Sequence, residues 1–123
     1  MTRRSSLFRS FYFAFAGLFH LIRSQRNARI HLLIGAAACA LGAWLGITRV
    51  EWAVLVMTIA GVIILEGLNT AIEAAVDLAS PEIHPLAKAA KDLAAGMVLV
   101  ASLGAAVIGL IILAPPLWQR LVR

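Results

Sequence analysis

Charged residues are scarce in this chain. Of its 123 residues, 14% are Asp, Glu, Lys or Arg and 62% are hydrophobic, with a mean hydropathy of +0.92. A soluble domain of this length cannot cover so much apolar surface with so few charges, so the composition predicts one integral membrane domain. The single cysteine, Cys39, excludes an internal disulfide, and we expect it to act as a small packing residue.

Glycine-rich phosphate loops are missing as well. The sequence has no GxxxxGK[ST] loop, no GxGxxG loop and no protein-kinase signature set, which excludes the common soluble nucleotide-binding folds. The net charge of +5 suits an anionic membrane leaflet or a phosphate-bearing ligand. We do not expect nucleic acid as a partner, because the Lys and Arg residues flank apolar segments instead of forming one basic face.

The apolar segments predict an all-α integral membrane protein with an N-terminal amphipathic surface helix and three transmembrane helices. Residues 1–27 combine helically spaced hydrophobic side chains with arginines, which favours a helix on the membrane surface over a span. The second span is too long for the ~30 Å hydrocarbon core, so its later half should protrude into the cytoplasm. We expect Pro115 and Pro116 to end the last helix. The predicted spans cover residues 28–48, 51–79 and 86–114.

Lys and Arg are unequally distributed about these spans. Eight of the 11 lie in the N-terminal block or in the loop between the second and third spans, and the others are Arg49, Arg120 and Arg123. The positive-inside rule therefore predicts that the N-terminus and this loop face the cytoplasm of a bacterial inner membrane. The polar end of span two, the start of span three and residues 25–29 would then meet at one membrane depth, where ATP is available.

Three carboxylates and an amide recur at helical spacing in the second predicted span. Asn69, Glu73 and Asp77 follow Glu66 at offsets of 3, 7 and 11 residues, so all four side chains return to one helix face at ~3.6 residues per turn. A charge at the bilayer centre costs roughly 2.5–3.5 kcal/mol, so such a cluster needs a partner, a cavity or a cation. The residues alone indicate a cation and an anionic ligand at a membrane surface.

Phosphoryl transfer also requires a cation and an anionic ligand, together with a group that accepts a proton. Glu66 and Glu73 are two turns apart and can serve as a proton acceptor and a cation ligand. Lys91 is positioned to meet a phosphate, with Asp92 beside it to orient the ammonium group. A hard-cation site, a positive charge for the phosphates and a positioned base together suit this reaction.

Two sequence runs carry a family resemblance. Residues 66–77 (EGLNTAIEAAVD) and 84–96 (HPLAKAAKDLAAG) resemble the signature of the prokaryotic diacylglycerol kinase family, which includes the undecaprenol kinases. Residues 26–31 (RNARIH) resemble the family's segment before its first span. The resemblance implies homotrimers of three-span subunits, with active sites shared between chains. It also implies transfer of the γ-phosphate of MgATP to a lipid hydroxyl.

The resemblance also implies roles for individual residues. Glu66 matches the general base, and Glu73 matches a ligand of Mg²⁺. Nucleotide and phosphate contacts fall on Asn69, which we group with Glu66 as catalytic, and on Lys91 and Asp92. The loop that would lie against the nucleotide contributes Glu82 and His84.

Some positions depart from the family pattern. Gln25 stands where a second metal-binding Glu is common; its amide oxygen can still bind Mg²⁺ but adds no negative charge. The aromatic stretch around Phe13 also differs from the Tyr and Trp of the diacylglycerol branch, while residues 80–85 (SPEIHP) look more like the undecaprenol branch. Undecaprenol is therefore the favoured substrate and diacylglycerol the next. Candidate lipid contacts are Phe13, Arg29 and Trp52.

Other interpretations stay open. An acidic stripe in a membrane helix also fits a small oligomeric cation transporter or channel subunit. Gln25 leaves room for a catalytically weakened homologue that keeps the fold as an assembly protein. His20 and His31 are expected to be interfacial polar residues, because neither has a partner at metal-ligand spacing.

Overall fold

Four α-helices make up the computed structural model, which describes residues 6–123. In chain order they are α1 (Leu7–Ser24), α2 (Arg26–Leu45), α3 (Arg49–Ala79) and α4 (Pro85–Leu121). The helices α2, α3 and α4 are each long and apolar enough to cross a membrane. The all-α class and the three membrane-spanning helices are therefore confirmed. The first five residues of the predicted surface helix lie outside the described residues.

The helix boundaries follow from local sequence signals. Gly46 ends α2 with φ +68°, a left-handed conformation that glycine adopts without a Cβ penalty. The Thr48 hydroxyl accepts a hydrogen bond from the Glu51 amide at 3.2 Å and so caps the start of α3. At the start of α4, the His84 Nδ1 atom accepts from the Leu86 amide at 3.1 Å.

The transmembrane helices pack most closely at the end of the bundle where α2 finishes and α3 begins. The buried side chains of Leu55, Ile112 and Leu113 form a core there, and Trp52 packs against it. Nearer the middle of α2, a Cβ on Gly35 would stand 2.8 Å from Ile59 Cγ2, so α2 and α3 approach closely at this glycine. Glu66 lies about two turns further along α3, away from this core.

Most large apolar side chains of the described chain point outward. Side chains such as Leu33, Met57, Leu99 and Ile111 are exposed along the three spanning helices. Water would solvate such surfaces poorly, whereas lipid tails or neighbouring helices cover them without cost. The composition and the fold agree in describing a membrane protein.

The prediction that Pro115 and Pro116 end the last helix is wrong. The helix α4 continues through both prolines to Leu121, seven residues beyond the expected end at residue 114. Proline cannot donate a backbone hydrogen bond, so the carbonyls of Ile111 and Ile112 lose their usual partners, but later residues still donate. Membrane helices tolerate such interruptions.

A contact with α2 holds the extra turn of α4. The Arg120 guanidinium lies 4.6 Å from the ring centre of Trp44, which is a cation–π distance. This contact gives the residues after the prolines a packing partner in the helical conformation.

Candidate active site

Glu66 is the most deeply buried polar side chain of the described residues. It lies on α3 with only 2% of its surface exposed. Its Oε2 atom has no hydrogen-bond partner among residues 6–123, and the nearest ionic group is the Nε2 atom of His31, at 3.8 Å. A buried carboxylate oxygen without a partner is costly, so the position favours a group that acquires its partner from a ligand.

Asn69 continues the same face one turn later. Its Oδ1 atom is also buried without a hydrogen-bond partner in the described chain. The Thr70 hydroxyl between them is already engaged, because it donates to the backbone carbonyl of Glu66 at 3.0 Å. Two free oxygen acceptors on adjacent turns can receive a hydroxyl hydrogen or bind a hard cation.

The acidic stripe continues along the unbroken helix α3 toward the cytoplasmic loop predicted from the sequence. Glu73 is half-buried two turns beyond Glu66, and Asp77 is exposed one turn further. Lys91 of α4 reaches across to Asp77, with Nζ 2.7 Å from Oδ1. The stripe therefore ends in an ion pair between two helices.

A cleft of about 300 Å³ lies beside this ion pair, between the end of α3, the 80–85 loop and the start of α4. It brings together four of the five residues predicted to contact the nucleotide or its phosphates, although they come from two different segments; Asn69 lies outside it. His84 caps α4, and Asp92 pairs with Lys88 one turn back along that helix. The four predicted residues on its wall are Glu82, His84, Lys91 and Asp92.

Gln25 and Arg29 form the corner between α1 and α2. Gln25 is the single residue that separates the two helices, with an extended backbone (φ −108°, ψ 114°) and a half-buried side chain. The Arg29 Nη1 atom donates to the backbone carbonyls of Arg23 at 3.0 Å and Ile22 at 3.3 Å. Arg29, a candidate lipid contact, thus binds the free carbonyls at the end of α1.

No three His, Cys, Asp or Glu side chains of residues 6–123 are close enough together to hold one metal ion.

The two aromatic candidates for lipid contact lie apart from each other. Phe13 is exposed on α1, and its ring makes an edge-on contact with Tyr12. Trp52 lies at the opposite end of α3 from the acidic stripe, beside Gly42 and the core. The fold does not bring Trp52 to Glu66.

His31 is the site residue that the sequence reasoning missed. It was expected to be a simple interfacial residue, yet it is the ionic neighbour of Glu66. One signal could have found it: His31 is the only titratable side chain in α2 besides Arg26, Arg29 and Cys39, and it shares a helix face with the close-packed Gly35.

An apolar groove begins at His31. It has a volume of about 590 Å³ and runs between α2, α3 and α4 through the depth of the predicted membrane. The residues that α4 contributes to the middle of the groove are small and leave it open. Among them, the Ser102 hydroxyl already donates a hydrogen bond to the Val98 carbonyl. The groove is large enough to hold part of an apolar chain beside His31, the ionic neighbour of Glu66.

Comparisons with known proteins fit this arrangement. The family model described as prokaryotic diacylglycerol kinase matches residues 12–113, a range that includes every candidate site residue. The chain belongs to the prokaryotic diacylglycerol kinase family. The resemblance carried by residues 66–77 and 84–96 is thereby confirmed.

Individual relatives within the prokaryotic diacylglycerol kinase family bear two names. The chain is 44% identical to an undecaprenol kinase of Bacillus subtilis over 113 residues, which are 89% of each protein. It is also 44% identical to a diacylglycerol kinase of Synechocystis over 114 residues, 92% of this chain but 65% of that protein. A diacylglycerol kinase of Helicobacter pylori is 33% identical over 76% of this chain and 73% of its own length.

Proposed function

We propose that this membrane lipid kinase transfers the γ-phosphate of ATP to the hydroxyl of a lipid alcohol, with undecaprenol preferred over diacylglycerol. One observation carries the proposal: Glu66 is buried and keeps a carboxylate oxygen without a hydrogen-bond partner in the described chain. An incoming hydroxyl supplies the missing donor. The apolar groove that starts at the neighbouring His31 suits the hydrocarbon tail of such an alcohol.

Glu66 acts as the general base. Its carboxylate accepts the proton of the lipid hydroxyl as the oxygen attacks the γ-phosphorus. Asn69, one turn away, directs its free Oδ1 atom at the same face and helps to orient the reacting groups. Burial excludes water from this face, which favours transfer to the lipid over hydrolysis of ATP.

The cleft beside the Lys91–Asp77 ion pair receives the nucleotide. Lys91 brings the positive charge that the polyphosphate requires, and Glu82 and His84 border the same cleft. Asp92 borders the cleft as well and pairs with Lys88 one turn back along α4. ATP approaching from this cleft and lipid approaching from the groove meet at the acidic stripe.

Glu73 and Gln25 are the residues that would hold Mg²⁺. The free Oδ1 atom of Asn69 and the half-buried carboxylate of Glu73 lie on one face, and both are the oxygen donors that Mg²⁺ prefers. Gln25 adds an amide oxygen at the corner between α1 and α2. When bound, Mg²⁺ neutralises charge on the transferring phosphate.

The membrane arrangement is part of the proposal. We infer that α1 lies on the cytoplasmic surface of a bacterial inner membrane, because its aromatic side chains are exposed and arginines flank them. The excess of Lys and Arg near the N-terminus and near the 80–85 loop supports the same orientation. Outward apolar faces on the spanning helices suit assembly as a homotrimer.

The preference for undecaprenol rests on two observations. The undecaprenol kinase of Bacillus subtilis aligns with 89% of both chains, whereas the equally identical diacylglycerol kinase of Synechocystis aligns with 65% of its own length. The 80–85 loop, at the cleft, also carries the SPEIHP sequence that resembles the undecaprenol branch.

Labelled ATP tests the function directly. The purified full chain is assayed in lipid micelles with undecaprenol and with diacylglycerol, side by side. Glu66→Gln should lower lipid phosphorylation by about 10²–10⁴-fold, the usual contribution of a general base. Glu51→Gln is the matched control, because Glu51 lies at the other end of the same helix.

Two results contradict the proposal. Normal turnover in Glu66→Gln removes the mechanism. Cation flux through liposomes without nucleotide, together with the absence of labelled lipid, supports the transporter or channel alternative instead.

A further inference from the structure

The contact between His31 and Glu66 joins two groups of very different solvent access. The carboxylate oxygen Oε2 lies 3.8 Å from the imidazole Nε2, while the side chains are 2% and 21% exposed, respectively. Glu66 is therefore almost fully enclosed by the chain, whereas part of the His31 side chain stays open, six residues after the corner at Gln25 and near the predicted cytoplasmic surface. A base that takes up a proton in each turnover must release it before the next.

We propose that His31 relays the proton from Glu66 to water after each phosphoryl transfer. This inference rests on the proposed lipid kinase function. His31 touches neither ATP nor the lipid hydroxyl in this scheme, so it is a positioning residue that acts through Glu66. It makes Glu66 available again as a carboxylate for the next lipid.

The O–H bond of the lipid alcohol breaks, its proton joins a Glu66 carboxylate oxygen, and the oxygen electron pair forms the bond to the γ-phosphorus. The bond from that phosphorus to the bridging oxygen of ATP breaks, and ADP leaves. Glu66 then passes its proton to the Nε2 atom of neutral His31, and the imidazolium releases a proton to water.

The distances suit a relay more than a fixed ion pair. At 3.8 Å the two atoms are beyond hydrogen-bond range, so neither side chain is locked to the other. Small side-chain rotations bring them into contact, as is common for catalytic groups before the substrate arrives.

The other basic side chains nearby are engaged elsewhere. Arg29 donates to the carbonyls at the end of α1, and Lys91 binds Asp77. Among residues 6–123, His31 is the one basic group within ionic distance of Glu66.

Substitution at His31 separates relay from packing. His31→Gln keeps a polar side chain of similar size but cannot carry a proton, so kcat for lipid phosphorylation should fall at least about tenfold with KM for the lipid little changed. His20→Gln is the matched control, because His20 is exposed on α1. A kcat for His31→Gln equal to that of wild type overturns the inference.

Chemical rescue by imidazole distinguishes proton transfer from packing, because added imidazole cannot replace a His31 side chain that only supports the structure. His31→Ala leaves space at the mouth of the groove, and free imidazole added to this variant should restore several-fold of the lost rate. Imidazole should have no such effect on Glu66→Gln, in which the proton acceptor itself is missing. Loss of activity without rescue assigns His31 to packing alone and also overturns the inference.

A spectroscopic measurement tests the contact without any activity. In protein labelled with nitrogen-15 histidine, Glu66→Gln should move the imidazole signal of His31 and leave that of His20 in place. An unmoved His31 signal contradicts the contact. If wild-type protein labels no lipid, the proposed function fails by itself, and the histidine spectrum still judges the His31–Glu66 pair.

Discussion

Lys91 and Asp77 link α4 to α3 across the 80–85 loop, with 2.7 Å between Nζ and Oδ1. The two residues are 14 positions apart in sequence and stand at the wall of the cleft assigned to ATP. Both side chains keep considerable solvent access, so the ion pair adds little to stability. Its significance lies in the charge that it presents to a phosphate.

Substitutions of Lys91 and of Asp77 should have opposite effects on KM for ATP if Lys91 binds the phosphates. Lys91→Met removes the positive charge and should raise KM for ATP by about tenfold or more, because charge-assisted contacts to phosphate are strong. Asp77→Asn removes the competing carboxylate and should leave KM for ATP equal or lower. Steady-state kinetics with saturating lipid measures both.

A purely structural ion pair gives a different pattern. Removing either partner would then have the same effect, since each variant breaks the same contact. Equal increases in KM for ATP in Lys91→Met and Asp77→Asn would therefore contradict the assignment of Lys91 to the phosphates. Lys88→Met is a useful comparison, because Lys88 also carries a charge on the first turns of α4 but pairs with Asp92.

Gln25 allows a test of the metal site. Gln25→Glu adds a carboxylate at the corner between α1 and α2, and the extra negative charge should lower the Mg²⁺ concentration for half-maximal activity by something on the order of tenfold. Gln25→Ala removes the oxygen ligand and should raise that concentration. Titration of activity with Mg²⁺ at saturating ATP measures both shifts.

The outcome also separates a functional kinase from a weakened homologue. Activity that exists only in Gln25→Glu supports the weakened homologue. Identical Mg²⁺ dependence in wild type, Gln25→Glu and Gln25→Ala places residue 25 outside the metal site.

Gly35 controls the approach of α2 to α3. Gly35→Ala places a Cβ 2.8 Å from Ile59 Cγ2, and the β-branched isoleucine has little rotamer freedom to move away. The variant should lose about 1–3 kcal/mol of stability, the usual cost of overpacking. Thermal unfolding in detergent measures the loss.

Gly104→Ala is the matched control for Gly35→Ala. A Cβ on Gly104 meets no atom within 4 Å, and alanine favours a helix over glycine by roughly 0.5–1 kcal/mol. Gly104→Ala should therefore keep or raise the unfolding midpoint. A similar response of both glycines would show that the close approach at Gly35 is unimportant.

The sequence predicted which site residues share a face of one helix, but it did not predict which residues of different helices are in contact. Glu66 and Asn69 share a face because helix α3 is continuous, and helical spacing alone predicts that. His31 meets Glu66 only because α2 packs closely on α3, and the closeness depends on Gly35 one turn after His31. No periodicity within a single helix reveals a contact between two helices.

Two other contacts needed the three-dimensional structure for the same reason. Arg29, a candidate lipid contact, also binds the backbone carbonyls of Ile22 and Arg23, and no sequence pattern predicts that contact. That contact depends on the break at Gln25, where α1 has ended and α2 begins. Trp52 was grouped with the site by residue type, but its position in α3 carries it to the far end of the bundle.

Pro115 and Pro116 of α4 allow a further test, because prolines inside a helix should lower its stability. Proline inside a helix typically costs about 3 kcal/mol, because a hydrogen bond is lost and the ring crowds the preceding turn. Alanine at positions 115 and 116 would donate to the free carbonyls of Ile111 and Ile112. The variant Pro115→Ala/Pro116→Ala should therefore raise the unfolding midpoint in detergent.

Activity should change little in the same variant, because the prolines lie at the end of the bundle opposite Glu66. Pro81→Ala serves as the stability control: Pro81 lies in the exposed loop before α4, where losing a proline only loosens the unfolded chain and so should not raise the midpoint. A lower midpoint for the double variant would mean that the prolines stabilise the last turns of α4. The contact between Arg120 and Trp44 would then depend on the two prolines.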